Sequence, residues 1–103
     1  MQAEITIPKR DPEHERVLGI VYDISPAQAA VLSCLCRGTV VTGDELMAFS
    51  GIKPPVKVVI SRTRAKMKEH GMDIRSKINV GYWMDAEDRQ DIQRSVDDFL
   101  AGR

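Results

Sequence analysis

Val56-Lys-Val-Val-Ile-Ser-Arg-Thr-Arg-Ala-Lys-Met67, followed by Ile78-Asn-Val-Gly-Tyr-Trp83, is the stretch on which the reading of this chain turns. At ~100° per residue, a helix over 54–69 gathers Val56, Val59, Ile60, Thr63 and Met67 on one side. That is a core-facing stripe. The opposite side is centred on Val58, Ser61 and Ala65, with Lys57, Arg62, Arg64 and Lys68 along its flanks. The second segment is strand-like and ends in Gly81-Tyr82, which predicts a hairpin just after the helix. A helix apolar on one face and cationic on the other, with a hairpin beside it, is what a reader of duplex DNA needs. Small residues at the centre let such a helix approach a groove, and long cations beside them reach phosphates and base edges. The plain alternative is a helix whose charges are only solvated.

Working outward, the flanking sequence is rich in start and stop signals. Ile5-Thr-Ile7 reads as a short strand, residues 9–16 as a polar turn, and the β-branched and aromatic run 17–22 as a strand. Ser25-Pro26 starts a first helix, 26–36, with Ser as N-cap and Pro at the first helical position. That helix is apolar on nearly all sides, so it should be central to the fold, and Arg37-Gly38 ends it. After an extended link, Thr42 caps a second helix with Glu45 in a capping box. Leu46, Met47 and Phe49 form its apolar side. Ser50-Gly51 closes it. Pro54-Pro55 opens the third helix and removes two amide donors from its start, weakening that end as an anion site. His70-Gly71 stops it, and two short strands, 74–77 and 79–84, follow. The fold expected is α+β and mostly α, in the order strand, helix, helix, helix, strand, strand. That is the order of a winged helix-turn-helix. A final helix over 86–100, capped by Asp85, carries Ile92, Val96, Phe99 and Leu100 on one stripe. One domain is expected over 1–103, with its core in 17–84.

Charge is distributed unevenly although the 103 residues sum to zero. Residues 1–52 carry 4 Lys/Arg against 7 Asp/Glu, residues 53–77 carry 8 against 2, and residues 85–103 carry 3 against 6. A cationic middle between acidic ends suits a local anion-binding face. No apolar run approaches the ~20 residues of a membrane helix, and the N-terminus lacks the pattern of a signal peptide. Cys34 and Cys36 point in widely different directions on one helix. They are expected to be reduced, small buried hydrophobes, with neither disulfide nor zinc, in a cytoplasmic protein. His14 and His70 are isolated and are expected to be exposed or capping. The Asp97-Asp98 pair and Asp85-Ala-Glu-Asp88 look like cap or surface acids. With no base–nucleophile pair, phosphate loop or metal-ligand spacing, neither catalysis nor a metal or other cofactor is expected.

These residues resemble the OmpR/PhoB-type winged-helix family, the DNA-binding output domains of bacterial two-component regulators. Its recognition helix carries a pattern like Val-Asp-Val-His-Ile-Ser-Arg-Leu-Arg-Lys-Lys-Leu. Here Val56, Val58, Ile60, Ser61, Arg62, Arg64, Lys66 and Met67 follow it. The family's wing ends in Arg-Gly-Val-Gly-Tyr-Arg-Leu, and Val80-Gly81-Tyr82 keeps the end of that motif. Ile24-Ser25-Pro26 resembles the family's Leu-Thr-Pro helix opening, and Val40-Val41-Thr42 with Glu45-Leu46 resembles the start of its second helix. The resemblance covers roughly 17–84. It implies a sequence-specific transcription regulator with its third helix in the major groove and its hairpin at the adjacent minor groove. Arg62 would be the principal base reader. Lys57, Val58 and Ser61 would meet the groove floor or wall, and Arg64 the phosphates, which the place of Arg64 and Lys68 towards one rim of the helix also favours. Lys77, Asn79 and Tyr82 would act from the hairpin.

Four features depart from the family. No receiver domain precedes the helices, so no phosphorylation switch is expected. The link between second and third helices is short, which removes the loop with which the family touches RNA polymerase. Ile78-Asn79 stands where the wing has Arg-Gly, so the minor-groove arginine is missing and Lys77 replaces it only in part. A C-terminal helix is added, expected either to pair two copies or to pack back on the domain, with an acidic cover over the third helix as a rival role. The second functional reading is a winged helix that docks on another regulator or on RNA polymerase, without strong DNA binding of its own.

Overall fold

The computed structural model describes residues 10–51 and 55–102. The order is α1 (Pro12–Tyr22), α2 (Pro26–Leu35), α3 (Gly43–Ser50), α4 (Val56–Glu69), β1 (Arg75–Lys77), β2 (Gly81–Trp83) and α5 (Ala86–Leu100). The fold is α+β and mostly helical, with one antiparallel hairpin. Ile5–Ile7, the expected first strand, lies outside the described residues, as do Lys53 and Pro54.

Residues 17–22, expected as a strand, are helical. The polar stretch before it is no turn but a helix start: the Asp11 carboxylate accepts from the His14 amide at 3.0 Å, and Pro12 opens the helix. Glu13 and Glu15 in the first turn complement its dipole. Val17, Leu18 and Tyr22 then fall on one buried helical face. Glu15 is also buried, and its carboxylate takes both Arg10 Nη2 (2.6 Å) and Arg10 Nε (3.0 Å). Arg10 Nη1 donates onward to the Ser50 carbonyl at 3.2 Å, tying the start of α1 to the end of α3.

Helix α2 is the central element, touching α1, α3 and α4. Ser25 and Gln28 form a capping box at its start, and every residue from Ala29 to Leu35 is buried. His14 is not isolated: its Nδ1 lies 2.8 Å from Ser33 Oγ, joining α1 to α2. Burial pushes the Cys36 thiol up to about 12 and raises that of Cys34 as well; both cysteines are free. In α3 the Thr42–Glu45 capping box is present, with bonds of 3.1 and 3.0 Å. Leu46 and Phe49 are buried, but Met47 is exposed, because an eight-residue helix presents only one face to α2 and α4.

Helix α4 buries the expected stripe of Val56, Val59, Ile60, Thr63 and Met67. Thr63 satisfies its buried hydroxyl on the Val59 carbonyl at 2.7 Å. The hairpin strands are shorter than expected and pair Arg75 with Trp83, Ser76 with Tyr82 and Lys77 with Gly81. Tyr82 also bridges to Val41, exchanging hydrogen bonds of 2.9 and 2.7 Å. Gly81 makes this approach possible. Its φ is +135°, and a Cβ there would sit 2.4 Å from the Val41 carbonyl oxygen.

Helix α5 packs back on the domain. Its Ile92 and Val96 are buried in the same cluster as Val17 and Leu18 of α1, with Phe99 half-buried and Leu100 exposed. Asp85 stands at the N-cap, but its carboxylate goes to Arg75 at 2.8 Å and not to a helix amide. No single helix among the described residues is long and apolar enough to cross a membrane. Helices α1 and α2 would reach that length only across a 111° bend.

Candidate nucleic-acid interface

The outer face of α4 is built by the same periodicity that buries its inner one. Lys57, Val58, Ser61, Arg62, Ala65 and Lys68 are all exposed. Among the described residues, none of the ion pairs engages Lys57, Arg62 or Lys68. Three cations therefore stand along one side of a helix with Ser61 and Ala65 between them. Lys66 lies off this face, 3.8 Å from Asp23.

Arg64 has a different setting from its neighbours. It is half-buried, its Nε donates to the Ile74 carbonyl at 2.8 Å, and its Nη2 donates to Ser76 Oγ at 3.3 Å. Asp73 lies 3.7 Å from the same Nε. The guanidinium thus braces β1 against α4. Arg75, one strand position on, is paired to Asp85.

The hairpin rises beside α4 with a concavity on either side. One, of about 480 Å³, is bounded by the start of α3 (Thr42, Gly43, Asp44), by Lys57, and by the hairpin from Ser76 to Tyr82. The other, of about 390 Å³, lies between Arg64 and Lys68 on α4 and Arg75, Ser76 and Trp83 on the hairpin. Lys77 and Asn79 are exposed at the tip. Asn79 has φ +65°, a left-handed turn position that asparagine tolerates. Tyr82 is half-buried against the core and lines the first concavity from behind.

Of the residues singled out from the sequence, Lys57 on α4 and Lys77, Asn79 and Tyr82 on the hairpin border one concavity, and Arg64 and Lys68 border the other; Val58, Ser61 and Arg62 are exposed on α4 and line neither. Thr42, Gly43 and Trp83 border these concavities and were not singled out. Thr42 was legible as a cap, but its place beside the hairpin depends on the Val41–Tyr82 bridge. Among the described residues no three His, Cys, Asp or Glu side chains gather as a metal site. No protein family, curated protein or solved structure matches the chain.

Proposed function

We propose that the protein binds duplex DNA sequence-specifically as a winged helix-turn-helix transcription regulator in the cytoplasm of a bacterial-type cell, with α4 in the major groove. One observation carries this reading. Lys57, Arg62 and Lys68 stand exposed on a single face of α4, unpaired with any acid among the described residues. Cations paired to neighbouring acids would have part of their field cancelled; unpaired ones keep it for an outside anion. Ser61 and Ala65 leave room for close approach. Arg62 is the base reader, because a guanidinium spans guanine O6 and N7 through two bonds. Lys57, Lys68 and Lys77 neutralise phosphates. Arg64, occupied by Ile74 and Ser76, holds the hairpin at the angle that lets both elements meet one duplex. Helix α5 favours a structural role over an acidic cover, since its apolar stripe is spent on α1.

The test is duplex binding across a range of salt concentrations, using sequences the full chain recovers from a randomised pool. With three lysines on phosphates, log K should fall with log salt at a slope of about −3. Arg62→Ala should cost about 1–3 kcal/mol and relax preference at one base pair, whereas Lys68→Ala should weaken all sequences alike and flatten the slope by about 1. Absence of salt-dependent binding to any duplex would refute the reading. Tight binding to RNA polymerase or another regulator in its place would establish the protein-docking alternative.

A further inference from the structure

The tip of the hairpin is unusual in being apolar. Ile78 is 89% exposed, the highest value among the large hydrophobic residues described, and Val80 is exposed beside it. Turn tips are ordinarily polar, because nothing covers them. Lys77 and Asn79 follow that rule here; Ile78 and Val80 do not.

The backbone beneath Ile78 is stiff. The Val80 amide donates to the Lys77 carbonyl at 3.0 Å and closes the turn. One base of the ribbon is locked by the two Val41–Tyr82 bonds and by the tight seat of Gly81. The other is braced by Arg64. Ile78 is therefore held out on a rigid arm. The charges around it select the kind of surface that arm meets. Lys77 adjoins Ile78, Lys57 lies across the same concavity, and Asp44 is the one acid on its lining among the described residues. An apolar point between cations, continuous with the exposed face of α4, matches a minor groove with phosphates along its rims.

We propose that Ile78 enters the minor groove next to the α4 site and wedges partly between two base pairs, kinking the duplex. The proposal rests on the DNA-binding reading and deepens it by assigning the hairpin a mechanism. Aliphatic wedges act this way in minor-groove proteins: unstacking one step is offset by burying the side chain and by the added contact that a bent duplex allows. An isoleucine reads no donors or acceptors, so its contribution to selectivity is deformability. Bound sites should carry a flexible pyrimidine–purine step, TA or CA/TG, where the tip lands.

The experiment uses the full chain and a short duplex it has recovered from a randomised pool, with donor and acceptor dyes at the two ends and 2-aminopurine at the candidate step. Wild-type protein should bend the duplex by about 20–90° and brighten the 2-aminopurine. Ile78→Ala and Ile78→Ser should lose most of the bend and the brightening, and bind about tenfold more weakly. Their salt slope should match the parent's, because no charge is removed. Both should keep the parent's melting temperature, since Ile78 touches solvent and not the core. A straight duplex in the wild-type complex, or an equal bend with Ile78→Ala, overturns the wedge while leaving DNA binding intact. Unchanged DNA binding and bending by Ile78→Ala with loss of a protein contact would reassign the tip to a protein partner. No salt-dependent duplex binding by the wild type overturns both this proposal and the reading beneath it.

Discussion

Replacing Gly81 by alanine tests whether the hairpin is docked as tightly as its geometry requires. At φ +135° an L-residue is strained, at a cost of about 1–3 kcal/mol. The added Cβ would also lie 2.4 Å from the Val41 carbonyl oxygen and 2.9 Å from its carbon, both backbone atoms that cannot swing aside. The strand must then move off Val41 and give up the two Val41–Tyr82 hydrogen bonds, each contributing a net ~0.5–1.5 kcal/mol. A loss of about 3 kcal/mol is expected, or a fall in Tm of about 15 °C for a domain of this size. Gly71 is the matched control. Its φ is +76°, but nothing lies within 4 Å of the Cβ position, so Gly71→Ala bears backbone strain alone, about 1 kcal/mol. Urea denaturation followed by far-UV circular dichroism gives both values. Trp83, the only tryptophan and a residue of β2, reports on the hairpin by its emission. Gly81→Ala should shift that emission before any denaturant is added; Gly71→Ala should not. If the two variants lose equal stability and Trp83 is unmoved, the close approach of β2 to Val41 does not constrain the fold.

Two further outcomes follow from burial. Ile92→Ala should cost about 2–4 kcal/mol in thermal or chemical unfolding, because Ile92 is buried against α1, whereas Leu100→Ala on the same helix should stay within about 0.5 kcal/mol. Burial also lowers the pKa of His14 below the ordinary histidine value, with Arg37 adding to the effect and Asp11 and Glu15 opposing it. The unfolded chain then takes up its proton first, so this contribution to stability is complete above pH ~6.5 and is lost as pH falls through the lower folded value. A Tm–pH profile should show that acid-side decline in the parent and a shallower one in His14→Gln.

Much of the architecture was legible because it is written in local chemistry. The Ser25–Gln28 and Thr42–Glu45 capping boxes, the stop at His70-Gly71 and the two faces of α4 depend on residues within a few positions of one another, and all are present. The misreading at 17–22 has an equally local origin. A six-residue apolar run fits a strand or a helix, and the arbiter was Asp11-Pro12, the same kind of start signal as Ser25-Pro26, hidden in a charged stretch that resembled a turn. Met47 was misplaced because a short helix has more apolar residues than its neighbours can cover.

The chain's own order of side chains settled which face of α4 is buried and which cations it exposes, since a helix turns by a constant angle and that angle needs no partner. It could not settle what those cations do once the chain closes. Arg64 and Arg62 are near neighbours on one helix, yet Arg64 meets the Ile74 carbonyl and Ser76 while Arg62 meets solvent. Tyr82 finds Val41, and Ile92 and Val96 find α1, only because distant segments converge. Such contacts depend on which surfaces remain uncovered after α2 has taken the centre, and that competition is decided in three dimensions.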